Sequence, residues 1–587
     1  MNISFLLISA VILFYAGYRF YSAYLAKVWG EDNARTTPAV ALKDDVDYAP
    51  AKKGIVFSHY FASIAGAGPI IGPTVALIYG YAPVWLWVVL GGIFIGAVHD
   101  YSALFISLQE KGKSIAQISS SAMGRIGYVL FITFTFTMIV LVTGAFLGLT
   151  ATALTSVVSL IDLNIEGGSS ILYTVVKDGK EVAQIGGIAS TSVIIITLFA
   201  PLIGYLIYRR NMNLYYGSLL SIILLAFSVI AGIYFPVSIE PNLWMVIISV
   251  YCFIAAGAPV WLLLQPRDFI NSFLLYFGIF FLIIGAIAGG LAGSQINAPA
   301  FNMAEGSAKL GMLWPFLFIT IACGAISGFH SLIGSGTVSK QVSCESDARP
   351  IAYGGMIIES LLAVTVIIAV GGGMSYSNYI DTVFPTAQGA RSNPILAFSL
   401  GMGGLLNKGL GIPMAYGAIF GILMLEGFVI TTLDTAVRLS RLLLEEFWST
   451  IFEKPPAFLR SYYFNAGVSV AAMLYLAYTS KFLSIWPIFG AANQLLAALG
   501  LIAVTAWLIK NNKPALFTFF PALFMVATTL IALYSLLTEK YIPTKNITLM
   551  ATDIILIILS IGVILLSIKK LMRPSIASSL KSEKEPS

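Results

Sequence analysis

The 587-residue chain is 58% hydrophobic and only 10% charged. That balance excludes a soluble protein of this length, and long apolar runs recur from end to end, as in an all-α polytopic membrane protein. The net charge of +6 then reports topology and not nucleic-acid binding.

In chain order, hydropathy and length predict fifteen spans, at 3–27, 55–79, 83–108, 127–152, 186–209, 214–235, 243–264, 270–293, 311–333, 351–372, 412–432, 463–479, 485–508, 514–537 and 549–571. The first run is too long for a signal-peptide core and is read as a retained span. The run 393–406, rich in glycine and opened by Asn393-Pro394, is expected to re-enter or lie at the interface. The only long outer loop, 156–185, contains "YTVVKDGKEVAQI", a small hairpin around Asp178-Gly179. The tail 572–587 is expected to be disordered and cytoplasmic. With the N-terminus outside, most of the 33 lysines and arginines fall in the inner loops and tail, which places the C-terminus inside a cell inner (plasma) membrane.

The second span carries "FSHYFASIAGAGPIIGP", residues 57–73. Glycine admits backbone angles a helix forbids and proline removes a donor, so "GAGPIIGP" predicts a broken helix. Unwound backbone at membrane depth is tolerated where protein or a wet cavity surrounds it, and in secondary transporters such half-helix ends bind substrate or ions. Five spans later "FIAAGAPVWLLLQP", residues 253–266, repeats Ala-Gly-Ala or Ala-Gly then Pro after small residues. An odd offset reverses orientation, as an inverted repeat requires. The competing reading is chance resemblance among small residues that pack helices. The repeat reading puts substrate between Gly66, Ala67, Gly68, Pro69 and Gly257, Ala258, Pro259. It divides the chain into a first span and loop (1–54), two repeats (55–235 and 236–432), C-terminal helices (433–571) and the tail. No membrane-buried arginine or lysine is evident in the central spans, so half-helix amides are the expected partner for a substrate carboxylate.

Ionisable groups inside spans are costly and usually face an interior. His59, His99, Asp100, His330, Glu359 and Glu426 all fall in the cytoplasmic half by depth. They read as structural hydrogen-bonding groups, as a proton relay because imidazole titrates near neutrality, or as a metal site; no HxxxH or CxxC spacing supports the metal. Cys252, Cys323 and Cys344 have no metal-ligand spacing either. "SGFHSLIGSGTVSK", residues 327–340, surrounds His330 with hydroxyls, Ser331 among them, that could serve Na⁺ or simply loosen the helix end. "ESDARP", residues 345–350, is a polar inner loop suited to pairing or capping. "GAANQLLAALG", residues 490–500, puts Asn493 and Gln494 inside a span, where an interhelical amide bond is the plainer role. No phosphate-loop motif occurs, and no cofactor is expected.

"FSHYFASIAGAGPIIGP", "GAVHDYSALFIS", "SGFHSLIGSGT…ESDARPIAYGGMIIES" and "FGAANQLLAAL" resemble, in order, the motifs of the carbon starvation protein A family of membrane transporters. The resemblance implies a LeuT-like five-plus-five core of the amino acid–polyamine–organocation type with extra helices, and uptake of short peptides or pyruvate when carbon is scarce. It carries over to Gly66 to Pro69, Asp100, His330, Glu359, Asn493 and Gln494. A form found in that family has Gly-His-His where Ser58-His59-Tyr60 stands here, and glutamine at His99. The expected function is import of peptides or a small carboxylate by proton symport, His59, His99, Asp100, His330, Ser331 and Glu359 handling the ion. Glu426, Asn493 and Gln494 are possible support. Na⁺ coupling, a nutrient sensor without net transport and a membrane-embedded hydrolase are the alternatives, the last without any Ser-His-Asp or zinc signature.

Overall fold

A computed structural model describes residues 1–44, 48–163, 165, 172–177, 179–259, 261–386 and 390–571. The described residues form a bundle of eighteen principal helices. In order they are α1 (Ile3–Trp29), α2 (Lys53–Ile64), α3 (Gly68–Tyr79), α4 (Tyr81–Gln109), α5 (Ile115–Ala153), α6 (Ile185–Ile207), α7 (Leu214–Tyr234), α8 (Pro241–Gly257), α9 (Leu264–Leu291), α10 (Leu313–Thr320), α11 (Gly328–Gly336), α12 (Glu345–Gly373), α13 (Pro394–Leu410), α14 (Met414–Ile451), α15 (Tyr462–Thr479), α16 (Phe482–Lys510), α17 (Leu516–Tyr541) and α18 (Ile547–Leu571). Eleven are long and apolar enough to cross a membrane. The α2–α3 pair, bent by 43°, makes up to twelve. Helices dominate because lipid offers no partner for backbone amides and carbonyls, which a helix satisfies internally.

Burial sorts the helices into layers. The most apolar window of α12 is 83% buried and those of α14 and α16 are 78% buried, against 33% for α1 and 28% for α7. Helices α12, α14 and α16, with α4 and α5 against them, therefore form the centre, and α1, α7 and α18 turn most of their apolar surface outward. Helix α13 covers most of the run read from sequence as re-entrant or interfacial. It is buried along nearly its whole length and packs between α12, α14 and α9. Glycine makes this possible: a Cβ added at Gly404 would sit 1.8 Å from the carbonyl oxygen of Gly373 on α12.

Two expected spans take a different form. The run 243–264 ends its helix at Gly257, and the chain becomes helical again at Leu264, where α9 starts six residues earlier than expected. The run 311–333 is two short helices, α10 and α11, with non-helical backbone between them. The outer loop holds the hairpin, β1 (Val158–Ser159) pairing with β3 (Lys180–Ala183), which pairs with β2 (Thr174–Lys177), all antiparallel. Gly179 supplies a φ of +75° at its turn; Asp178 and the tail 572–587 lie outside the described residues.

The "ESDARP" motif ties loops together. Buried Glu345 accepts two bonds from Arg35 (2.7 and 2.8 Å), one from Gln109 (2.7 Å) and one from the Asp32 amide (3.1 Å). Asp347 faces Lys53 at 3.6 Å. This network joins the loop after α1, the end of α4 and the start of α12.

The close approach of α12 and α13 yields a stability prediction. Gly404→Val must push the two backbones apart, at a cost of about 1–3 kcal/mol or more, whereas Gly411→Asn, at a helix end with φ +68° and open space around it, should be nearly neutral. Thermal unfolding of the detergent-solubilised variants measures the difference.

Candidate functional site

Two broken helices meet at the centre. The first breaks where the glycine and proline content predicts it: α2 ends at Ile64, Ala65–Gly66 leave the helical path, and α3 begins at Gly68 with Pro69 in its first turn. The Gly66 amide folds back onto the Ile64 carbonyl at 2.7 Å. The second break is residues 321–327, between α10 and α11. Gly68 and Gly72, one turn apart on α3, form a bare face against it. A Cβ at Gly68 would lie 2.4 Å from Cys323 Sγ, and one at Gly72 would lie 3.0 Å from the Thr320 carbonyl oxygen. Small residues four apart permit this backbone contact.

Helix α16 supplies the hydrogen bonds that the second break has lost. Trp486 donates to the Thr320 carbonyl (3.0 Å), and Gln494 to those of Phe318 (2.7 Å) and Ile321 (3.0 Å). Asn493 donates to the Ala322 carbonyl (2.7 Å) and Ser327 Oγ (3.0 Å), and its carbonyl accepts from the Phe329 amide (3.1 Å). Asn493 and Gln494 are thus brought to the centre, where they replace missing helical bonds.

Between the breaks lies a small cavity of about 30 Å³. Its polar lining comes from Ser63, Thr432, Asn493, Cys323 and the backbone of Gly66, Ala67 and Gly68; Met138, Phe146, Phe329 and Phe489 make an apolar side. No charged side chain lines it. Gly257, Ala258 and Pro259 are not in this wall. A Cβ at Gly257 would meet the Tyr462 ring at 2.2 Å, and the Ala258 carbonyl accepts from Arg438 of α14 at 2.8 Å. Arg438 stands six residues beyond Thr432, about 9 Å along the helix axis. The break that faces Gly66–Gly68 is the one stabilised by α16.

Behind the second break is a buried polar cluster, and it contains four of the six expected ion-handling residues. His99, Asp100, His330 and Glu359 have essentially no exposed surface. Asp100 accepts from His99 Nδ1 (2.8 Å), His330 Nδ1 (2.8 Å) and the Tyr60 hydroxyl (2.8 Å). The other nitrogen of His330, Nε2, faces Glu359 Oε2 at 3.3 Å. With Nδ1–H committed to Asp100, favourable contact at Nε2 needs one proton there. Either His330 is an imidazolium beside a carboxylate, or a neutral imidazole faces a carboxylic acid. With no proton, lone pairs would face each other. Cys323 Sγ, a His330 ring nitrogen and a Glu359 carboxylate oxygen all lie within 4.8 Å of one another. His330 Nε2 and both Glu359 oxygens form no hydrogen bond among the described residues, so this edge of the ring is a close imidazole–carboxylate approach and not a formed hydrogen bond.

The remaining expected residues lie elsewhere or do other work. His59 is on the exposed side of α2, one turn before Ser63, whose hydroxyl donates to its carbonyl at 2.7 Å. Ser331 donates to the Gly328 carbonyl at 2.8 Å. Glu426 is fully buried in α14, and neither carboxylate oxygen has a hydrogen-bond partner among the described residues.

A second buried charge cluster corrects the expectation of no membrane-buried arginine. Arg267, 1% exposed, pairs with Asp434 at 2.7 Å, and Tyr251 bonds to both residues. "QPRDF" reads as a loop between apolar runs, but α9 begins at Leu264 and α14 runs to Ile451. Both helices outrun their apolar stretches and carry the pair inside.

The family model for carbon starvation protein CstA matches residues 2–381 and 373–532. The chain belongs to that family. The peptide transporter CstA of Bacillus subtilis is 28% identical, over 97% of this chain and 97% of that protein. Its namesake in Helicobacter pylori is 31% identical, over 90% and 81%. The pyruvate/proton symporter BtsT of Escherichia coli is 29% identical, over 90% and 81%. Among solved structures, a manganese transporter mutant of Eremococcus coleocola aligns with a TM-score of 0.46 at 11% identity, over 90% of this chain and 99% of that one. Family membership makes the chain a multi-pass membrane transporter and not an enzyme.

The Arg267–Asp434 pair is open to a direct stability test. Removing one partner strands the other as a buried charge, so Arg267→Met alone should cost about 3–5 kcal/mol. The double change Arg267→Met with Asp434→Leu should recover most of that loss. A thermal-unfolding double-mutant cycle in detergent or nanodiscs reads the recovery.

Proposed function

We propose that the protein imports a small carboxylate such as pyruvate, or a short peptide, by symport with a proton, binding substrate in the cavity between the two breaks. The observation that carries this reading is the buried approach of His330 Nε2 to Glu359 Oε2, 3.3 Å apart, behind the break that walls a cavity lined by no charged side chain. A substrate carboxylate finds no cationic side chain in the cavity. The amide end of α3, starting at Gly68, is the available positive potential, and the apolar side suits a methyl or other small aliphatic group. A proton couples transport when substrate binds one protonation state more tightly than the other.

A LeuT-like core of inverted repeats, 55–235 and 236–432, within about fifteen spans belongs to this reading. The meeting of two broken helices at the centre supports a transporter-type core, although the second break, α10–α11, falls at the third span of the second repeat and not at its first. An inner-membrane location and a cytoplasmic C-terminus also belong to this reading and rest on the lysine and arginine distribution. Na⁺ is the competing ion. Its proposed ligands in α11, the Ser331 and Ser335 hydroxyls, donate to the Gly328 and Ser331 carbonyls and keep oxygen lone pairs for a cation.

Sealed proteoliposomes test the proposal. An inward proton gradient without Na⁺ should drive pyruvate accumulation, up to about tenfold per pH unit for one proton per anion. Glu359→Gln or Asp100→Asn should lose gradient-driven accumulation while exchange persists. Gly68→Leu, which forces a side chain onto Cys323, should abolish uptake. A pyruvate ester or an amidated peptide should compete poorly with the free acid. Accumulation that requires Na⁺ and ignores a proton ionophore at clamped voltage would reject proton coupling.

A further inference from the structure

Cys323 belongs to both halves of the machinery. It lines the cavity, is partly exposed there and forms no disulfide. On its other side its sulfur is within 4.8 Å of both His330 and Glu359. No side chain intervenes toward the first half-helix, because Gly68 presents bare backbone to the sulfur. The side-chain amide of Asn493, at 3.8 Å, abuts Sγ from α16 and also holds the Phe329 amide, one residue before His330. Cys323 thus touches the cavity and stands beside the His330–Glu359 pair at once.

We propose that Cys323 is the positioning residue that couples the two sites: a water-excluding partition across which a carboxylate at Gly68 and the charge of the His330–Glu359 pair act on each other. This rests on the proton-symport reading above. The groups facing the pair are Tyr60 from α2, His99 and Asp100 from α4, Cys323 from the second break, His330 from α11 and Glu359 from α12. In a dry setting an anion in the cavity and a proton on the pair stabilise each other strongly, and water in the partition screens that attraction. The effect is reciprocal, so substrate tightens proton binding as much as the proton tightens substrate binding. A small polarisable thiol keeps the layer closed without adding a charge. Alanine leaves space for water, and serine restores an atom in the same place.

The test compares coupling with exchange in the same proteoliposomes. In Cys323→Ala the ratio of proton-driven pyruvate accumulation to pyruvate counterflow should fall about fivefold or more, the lower end of ordinary two-site coupling. The pH dependence of pyruvate affinity should flatten, and Cys323→Ser should recover both. A merely structural role would lower accumulation and counterflow together and leave the pH profile in place, and that outcome overturns the partition. Should the alanine variant fail to fold, a Cys252→Ala/Cys344→Ala protein keeps Cys323 as its single thiol. Its labelling by methyl methanethiosulfonate should slow with saturating pyruvate and change with pH in step with transport; labelling indifferent to pyruvate overturns the inference. A wild type that ignores the proton gradient removes the symport reading and the partition with it. A coupled wild type with an indifferent Cys323→Ala removes the partition alone.

Discussion

Backbone that leaves its helix inside a membrane must find its hydrogen bonds within the protein, and the centre of this transporter is organised by that requirement. Residues 321–327 are unwound at the crossing with α3, and α16 answers with Trp486 and, two turns later, Asn493 and Gln494. Those bonds fix where Cys323 and His330 stand. They also explain an apparent extravagance, two amide side chains buried with no exposed surface. Without α16 the freed carbonyls of Phe318, Thr320, Ile321 and Ala322 would each carry the cost of an unmade bond, roughly 1–3 kcal/mol apiece.

The two breaks differ in how visibly the sequence carries them. Gly66 and Gly68 with Pro69 and Pro73 are local instructions, so the first break is legible from composition. The second occupies an apolar run whose interior "IACGAIS" holds one glycine and no proline. Nothing local separates it from an ordinary span, and its conformation is imposed by side chains about 170 residues away in α16. The echo at Gly257–Pro259 is a true helix end, but it faces Tyr462 and Arg438. The grouping of His99, Asp100, His330 and Glu359 is legible because buried titratable groups are rare enough to stand out by depth alone. Arg267 is hidden for the opposite reason. It sits past the edge of an apolar run beside a proline, and only the true helix start brings it inward.

The two buried charge clusters are built for different behaviour. Arginine keeps its proton at any physiological pH, so Arg267 with Asp434 and Tyr251 is a fixed pair that ties α9 to α14 and has no second state to visit. The cluster around Asp100 offers three donors to one carboxylate and leaves a single contact, His330 to Glu359, whose charge depends on where one proton resides. Rigid charge thus holds the face of α14 turned away from the cavity, and the histidine–carboxylate cluster sits at the crossing of the broken helices.

The position of α14 makes that division consequential. Its Thr432 and Ala436 face the cavity, one turn apart, while Asp434 between them points to the opposite side, toward Arg267. One stretch of helix therefore carries a wall of the cavity on one face and a locked ion pair on the other. The Thr432 wall belongs to a helix anchored from behind, whereas the wall formed by Cys323 has only short half-helices on either side of it, eight and nine residues long. The second break is therefore the less anchored wall, and its amide-held backbone leads within a few residues to His330.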